Sequence, residues 1–120
     1  MGYQEFVNEL RDLGLVVTEF PDGRVSFPYR VESGPFAGRE VHIGFVVPQD
    51  FPVNPPGGPH ISPRLLPITG GGGAHPAGGV LVSDFGPDWE YWSRPLSHWA
   101  TTKRTVKDVI AHVRHLFDSQ

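Results

Sequence analysis

Apolar residues recur along the chain with two different periods, and these divide it into elements. In "YQEFVNELRDLG", Tyr3, Phe6, Val7, Leu10 and Leu13 fall at steps of three and four, the spacing of one helical face, and Gly14 suits a left-handed stop. The period then drops to two. "LVVTEF" and "RVSFPYRV" flank Pro21-Asp22-Gly23, a turn signal that predicts a hairpin. Val25, Phe27, Tyr29 and Val31 alternate along the second strand, and Pro28, which has no N–H for a ladder, places that stretch at an edge or a bulge. After "ESGPFAG", Val41, Ile43, Phe45 and Val47 alternate again, completing an antiparallel meander of three to four strands.

Between residues 48 and 95 the pattern dissolves. This stretch holds ten of the thirteen prolines, and only "PHIS" and "VLVSD" read as short strands. So long a segment without regular structure, inside a compact domain, is expected to carry function. Order returns near the C-terminus, where Val106, Val109, Ile110, Val113, Leu116 and Phe117 form one apolar stripe behind threonines able to cap a helix. The fold class predicted is α+β: an N-terminal helix, a meander, a long Pro/Gly-rich loop region and a C-terminal helix, in one domain over residues 1–120.

Composition narrows the function. Ten Lys and Arg against thirteen Asp and Glu give a net charge of −3, with no basic cluster to neutralise a phosphate backbone, so nucleic acid is not an expected partner. No apolar run approaches the roughly 18 residues of a membrane span, which predicts a soluble, cytoplasmic protein with no membrane partner. Cysteine is absent, which excludes disulfides, thiolate metal sites and thiol nucleophiles. Eight Phe, three Trp and three Tyr supply core anchors that disordered chains lack. The six histidines form no HExxH motif; His112 and His115 lie off the apolar stripe of the last helix, so no metal and no other cofactor is expected. Glycines 70–73 are followed by no Gly-Lys-Ser/Thr and read as a flap, not a phosphate cradle.

The order of elements, with Phe51-Pro52 and Pro55-Pro56 in "PQDFPVNPPGGPHIS", His75-Pro76 in the glycine-rich loop, and the closing "WEYWSRPLSHWATTKRTVKDVIAHVRHLF", resembles the ubiquitin-conjugating enzyme (UBC) superfamily, and in particular a bacterial branch found in systems that process ubiquitin-like modifiers. The resemblance covers most of the chain. It implies a UBC-like fold, and as partners a ubiquitin-like modifier and its activating enzyme, the latter meeting the N-terminal helix. It also locates two losses. The family's cysteine falls at Val82 or Ser83, and its oxyanion-stabilising asparagine falls at Ala77.

Two functions follow. With valine at the cysteine position the chain is a binding module that recognises the modifier or its activating and conjugating partners without a thioester. With Ser83 there, it carries the modifier as an oxyester, for which the weakly nucleophilic hydroxyl needs a base; His75 and Asp84 are the nearest candidates in sequence. An interaction domain of the same fold, unrelated to modifiers, is the third reading. Beside these stand blander roles. His75 braces its turn, and Ser83 bonds nearby backbone at a strand end. Trp99 plugs the core, whereas Trp89 and Trp92 either do the same or join Val82, Phe85 and Arg94 as a binding surface, since Trp and Tyr dominate interface hot spots. Arg94 is positioned to pair with Asp84 or Asp88 and order the loop. The oligomeric state is left open.

Overall fold

The computed structural model describes residues 2–65, 80–92, 96 and 98–118. They form an α+β domain in which an N-terminal helix, α1 (Tyr3–Asp12), and a C-terminal helix, α2 (Val106–Asp118), flank an antiparallel sheet. The strands are β1 (Thr18–Glu19), β2 (Arg24–Arg30), β3 (Glu40–Val46), β4 (His60–Ser62), β5 (Val80–Val82) and β6 (Glu90–Trp92), in the order β1-β2-β3-β4-β6-β5.

The first four strands are the expected meander, and their register follows the alternation of the sequence. Val25 sits opposite Phe45, and Phe27 opposite Ile43, which in turn faces Ile61 of β4. These side chains therefore share the face that α1 and α2 cover, where Phe6, Val7, Leu10, Val109, Val113 and Phe117 meet them. Phe6 packs edge-on against both Phe45 and Phe51. Pro28 pairs with His42 of β3 on one side, while β1 reaches only Val25 and Ser26 on the other. Its missing N–H thus falls where β2 is an edge, as the sequence requires.

Helix ends are fixed by their neighbours. Gly14 takes φ 86, the left-handed conformation that stops α1 at little steric cost. At the start of α2, the Thr105 N–H and hydroxyl both donate to Asp108 Oδ2, each at 2.9 Å, a short-armed version of a capping box. The next free N–H, of Val106, donates to Glu9 Oε1 of α1 at 3.2 Å, so a carboxylate from one helix meets the positive end of the other.

The proline-rich half departs from expectation in one respect. Besides β4 and β5, it contains β6, three residues from the run of aromatics read above as loop. β6 pairs with β4 (His60 opposite Tyr91) and with β5 (Leu81 opposite Tyr91), so the β5–β6 pair extends the sheet to six strands, with β6 and not β5 beside β4. Three residues are too few to show a period, which is why the pattern did not reveal it. Trp92 at its end is wholly buried against Phe117, and Trp99 in a 3₁₀ turn (Trp99–Thr101) donates its indole N–H to the Pro52 carbonyl at 2.9 Å, plugging the core as expected. No helix among the described residues is long and apolar enough to cross a membrane.

Candidate functional site around His60 and Ser83

Beyond β5 the chain turns back over the sheet face opposite the helices. Residues 83–89 make this crossing, with turns closed by Gly86 N–H to the Ser83 carbonyl and Trp89 N–H to the Gly86 carbonyl. Phe85 lands on Gly44 of β3, and only glycine permits the approach: a Cβ there would stand 2.8 Å from two atoms of the ring. Phe20 and Trp89 pack on Phe85 from its flanks, with centroids 5.6 and 4.8 Å away, and the Arg24 guanidinium lies 5.7 Å from its centre. Arg24 ties the loop to the β1–β2 hairpin, donating to the Asp84 carbonyl at 3.0 Å and to the Pro21 carbonyl at 3.1 Å. A second, smaller aromatic cluster thereby covers the outer face.

His60 lies beneath it. Gly44, His60 and Tyr91 are direct cross-strand neighbours, so they share this outer face, and the imidazole is held between Phe85 (4.7 Å) and Tyr91 (4.6 Å). Its Nδ1 is 2.7 Å from Ser83 Oγ, which also accepts the Phe85 N–H at 3.0 Å. Oγ has one hydrogen and two lone pairs, so the contact takes one of two forms: the hydroxyl donates to Nδ1, with the imidazole proton on Nε2, or Nδ1–H donates to Oγ. Burial drives the His60 pKa down from 6.5 to about 4; Asp84 opposes the shift and Arg24 adds to it. The ring is neutral at pH 7.

The predicted residues that the structure describes fall in three settings. Val82, at the end of β5, is 75% exposed, whereas Ser83, the next residue, is 6% exposed. Ser83 does bond nearby backbone, through the Phe85 N–H, but its second partner is His60, not Asp84. Asp84 is exposed, with its carbonyl taken by Arg24. Phe85 and Trp89 are half-buried in the outer cluster, while Trp92 belongs to the core and donates its indole N–H to Glu90 Oε2 at 2.6 Å. His75 and Arg94 lie outside the described residues, as do Ala77 and glycines 70–73. Among the described residues, no group of three or more His, Asp or Glu is placed to hold a metal ion.

Two residues of chemical interest escaped the sequence reading. His60 sits 23 positions before Ser83, and only the pairing of β4 with β6 brings them together. Glu90 is wholly buried, accepting from the Trp92 indole and, at 3.0 Å, from the Leu65 N–H. A carboxylate between a tryptophan and a tyrosine in sequence gives no sign that it points inward.

A cavity of about 290 Å³ opens beside the pair, with His60, Asp84 and Tyr91 in its lining and Val46 and Val82 on its walls. A larger hollow of about 650 Å³ is lined by Ser62, Pro63, Arg64, Leu65, Pro87 and Asp88, none of which is buried. The smaller one is where a desolvated polar side chain meets an opening. Comparison with protein-family models, curated proteins and solved structures returned no match.

Proposed function

We propose that the chain is a UBC-like protein of a bacterial ubiquitin-like modification pathway, one that binds the modifier or its activating and conjugating partners and forms no thioester. The observation that carries the reading is the division of labour at the end of β5. At the two positions where the resemblance calls for cysteine, the exposed residue, Val82, has no nucleophile, and the residue with a hydroxyl, Ser83, is buried as a brace between His60 and the Phe85 amide. A covalent carrier needs both properties in one side chain. What remains at the surface, Val82 and Val46 beside the half-buried Tyr91, is apolar and suits recognition.

One observation favours a second reading. Ser83 Oγ lies 2.7 Å from Nδ1 of a neutral imidazole, and with the ring proton on Nε2 this is the arrangement in which a hydroxyl is activated by general base catalysis. In that reading Oγ attacks the thioester carbonyl of a modifier delivered by the activating enzyme. Its proton passes to His60 Nδ1 and then to the departing thiolate, leaving an oxyester on Ser83 and a free thiol on the activating enzyme. His60, and not His75 or Asp84, is then the base.

Incubation with modifier, activating enzyme and ATP, followed by intact-protein mass measurement, separates the two. The binding reading predicts an unchanged mass together with capture of the modifier or of its enzymes in a pull-down. A hydroxylamine-labile adduct that disappears in Ser83→Ala would replace it with the carrier reading.

A further inference from the structure

From the cavity beside His60 we infer a binding site for a short extended peptide segment that carries a basic side chain, its main chain hydrogen-bonded to His60 Nε2. This goes beyond the pathway reading and does not depend on it. His60 is 5% exposed, its Nδ1 is engaged by Ser83, and Nε2 is the remaining polar atom of a ring that lines the cavity. A desolvated nitrogen of this kind gains most from a hydrogen-bond partner brought by a ligand. Gly57 and Gly58 form part of the lining, and a Cβ on Gly57 would meet only the Tyr91 hydroxyl, at 3.8 Å. The floor is therefore bare backbone that another main chain can approach closely.

The rest of the lining selects the occupant. Val46 and Val82, 38% and 75% exposed, offer walls for an aliphatic side chain. Asp84 puts an exposed carboxylate at the opening. Among the described residues, Arg24 is the cation tied to this loop, and it is directed at two carbonyls and the Phe85 ring. An anionic ligand such as a nucleotide would face the Asp84 carboxylate. A main-chain polar group, an aliphatic group and a cation in sequence describe a residue or two of basic, apolar peptide.

The probe is the tripeptide Ac-Val-Arg-Val-NH2, titrated into the full chain while NMR follows the Val46 and Val82 methyls and the His60 ring. The expected result is a saturable shift of all three, with affinity about twofold to fivefold above that of Ac-Val-Gln-Val-NH2, the range of an exposed ion pair. Asp84→Asn should remove that preference, and Val82→Lys, at a surface position the fold does not need, should abolish the shifts. Agmatine, a cation with no peptide carbonyl, should leave the His60 ring unmoved. Equal affinity for the Arg and Gln peptides, a response surviving in Val82→Lys, or an equal effect of agmatine would each overturn the inference.

Discussion

Acid should loosen this protein through one side chain. His60 is held neutral in the fold, with its pKa lowered to about 4 chiefly by burial, whereas the unfolded chain titrates it near 6.5. Because the folded value is the lower one, the unfolded state binds more protons across that window. The stabilisation from burying the neutral ring is complete above pH 6.5 and is lost as the pH falls towards 4. At about 1.4 kcal/mol per pH unit, the gap amounts to about 3 kcal/mol, a large part of the roughly 5–15 kcal/mol that holds a domain together. Protonation also puts a hydrogen on both ring nitrogens, so Ser83 Oγ, which already accepts the Phe85 N–H, must accept from Nδ1 as well. Asp84 and Arg24 are the charged groups that act on the ring, with opposite signs. The assay is urea unfolding followed by tryptophan fluorescence at pH 7.5, 5.5 and 4.5, in the wild type and in His60→Gln. The other five histidines, His42, His75, His98, His112 and His115, are common to both proteins, so the difference between the two pH profiles isolates His60. The wild type should lose about 2.5 kcal/mol more than the variant between pH 7.5 and 4.5. Parallel profiles, or an NMR titration of the wild-type ring with a midpoint near 6.5, would refute the reasoning.

Other predictions concern the supports of the site. Gly44→Ala puts a methyl 2.8 Å from the Phe85 ring and should destabilise the fold by about 1–3 kcal/mol while exposing His60, read as a lower Tm and a His60 midpoint moved towards 6.5. Glu90→Ala withdraws the buried acceptor of the Trp92 indole and the Leu65 amide, at a cost on the order of 3 kcal/mol in urea unfolding. Thr105→Ala removes one hydroxyl contact from the start of α2 and should cost about 1 kcal/mol by the same measurement, without moving the His60 titration.

What the chain discloses by itself is set by range. Both helices, β2 and β3 announce themselves because each buries one face along many residues, and a period of 3.6 or 2 survives in the sequence, whereas β1, two exposed residues, is marked only by the turn after it. Val25, Phe27, Ile43 and Phe45 all reach the core as their alternation requires. β6 does not announce itself: Glu90, Tyr91 and Trp92 become a strand only through their partners on β4 and β5. The same holds for the site. Ser83 could be singled out from its place after a short apolar run, but its partner could not, because the contact joins strands whose pairing no local pattern encodes. The nearest ring in sequence, His75, and the nearest carboxylate, Asp84, were natural candidates for a base. The ring that holds Ser83 is His60, whose neighbours Gly44 and Tyr91 come from two other strands.

Whether Ser83 is a brace or a reactive group can be decided without any pathway component. Treated with an excess of a fluorophosphonate, which phosphonylates serines that are both open to solvent and activated by a base, the protein should keep its mass, since the hydroxyl is shut between the imidazole and the Phe85 amide. A single phosphonyl adduct that maps to Ser83 and vanishes in Ser83→Ala would show an accessible nucleophile and contradict the account.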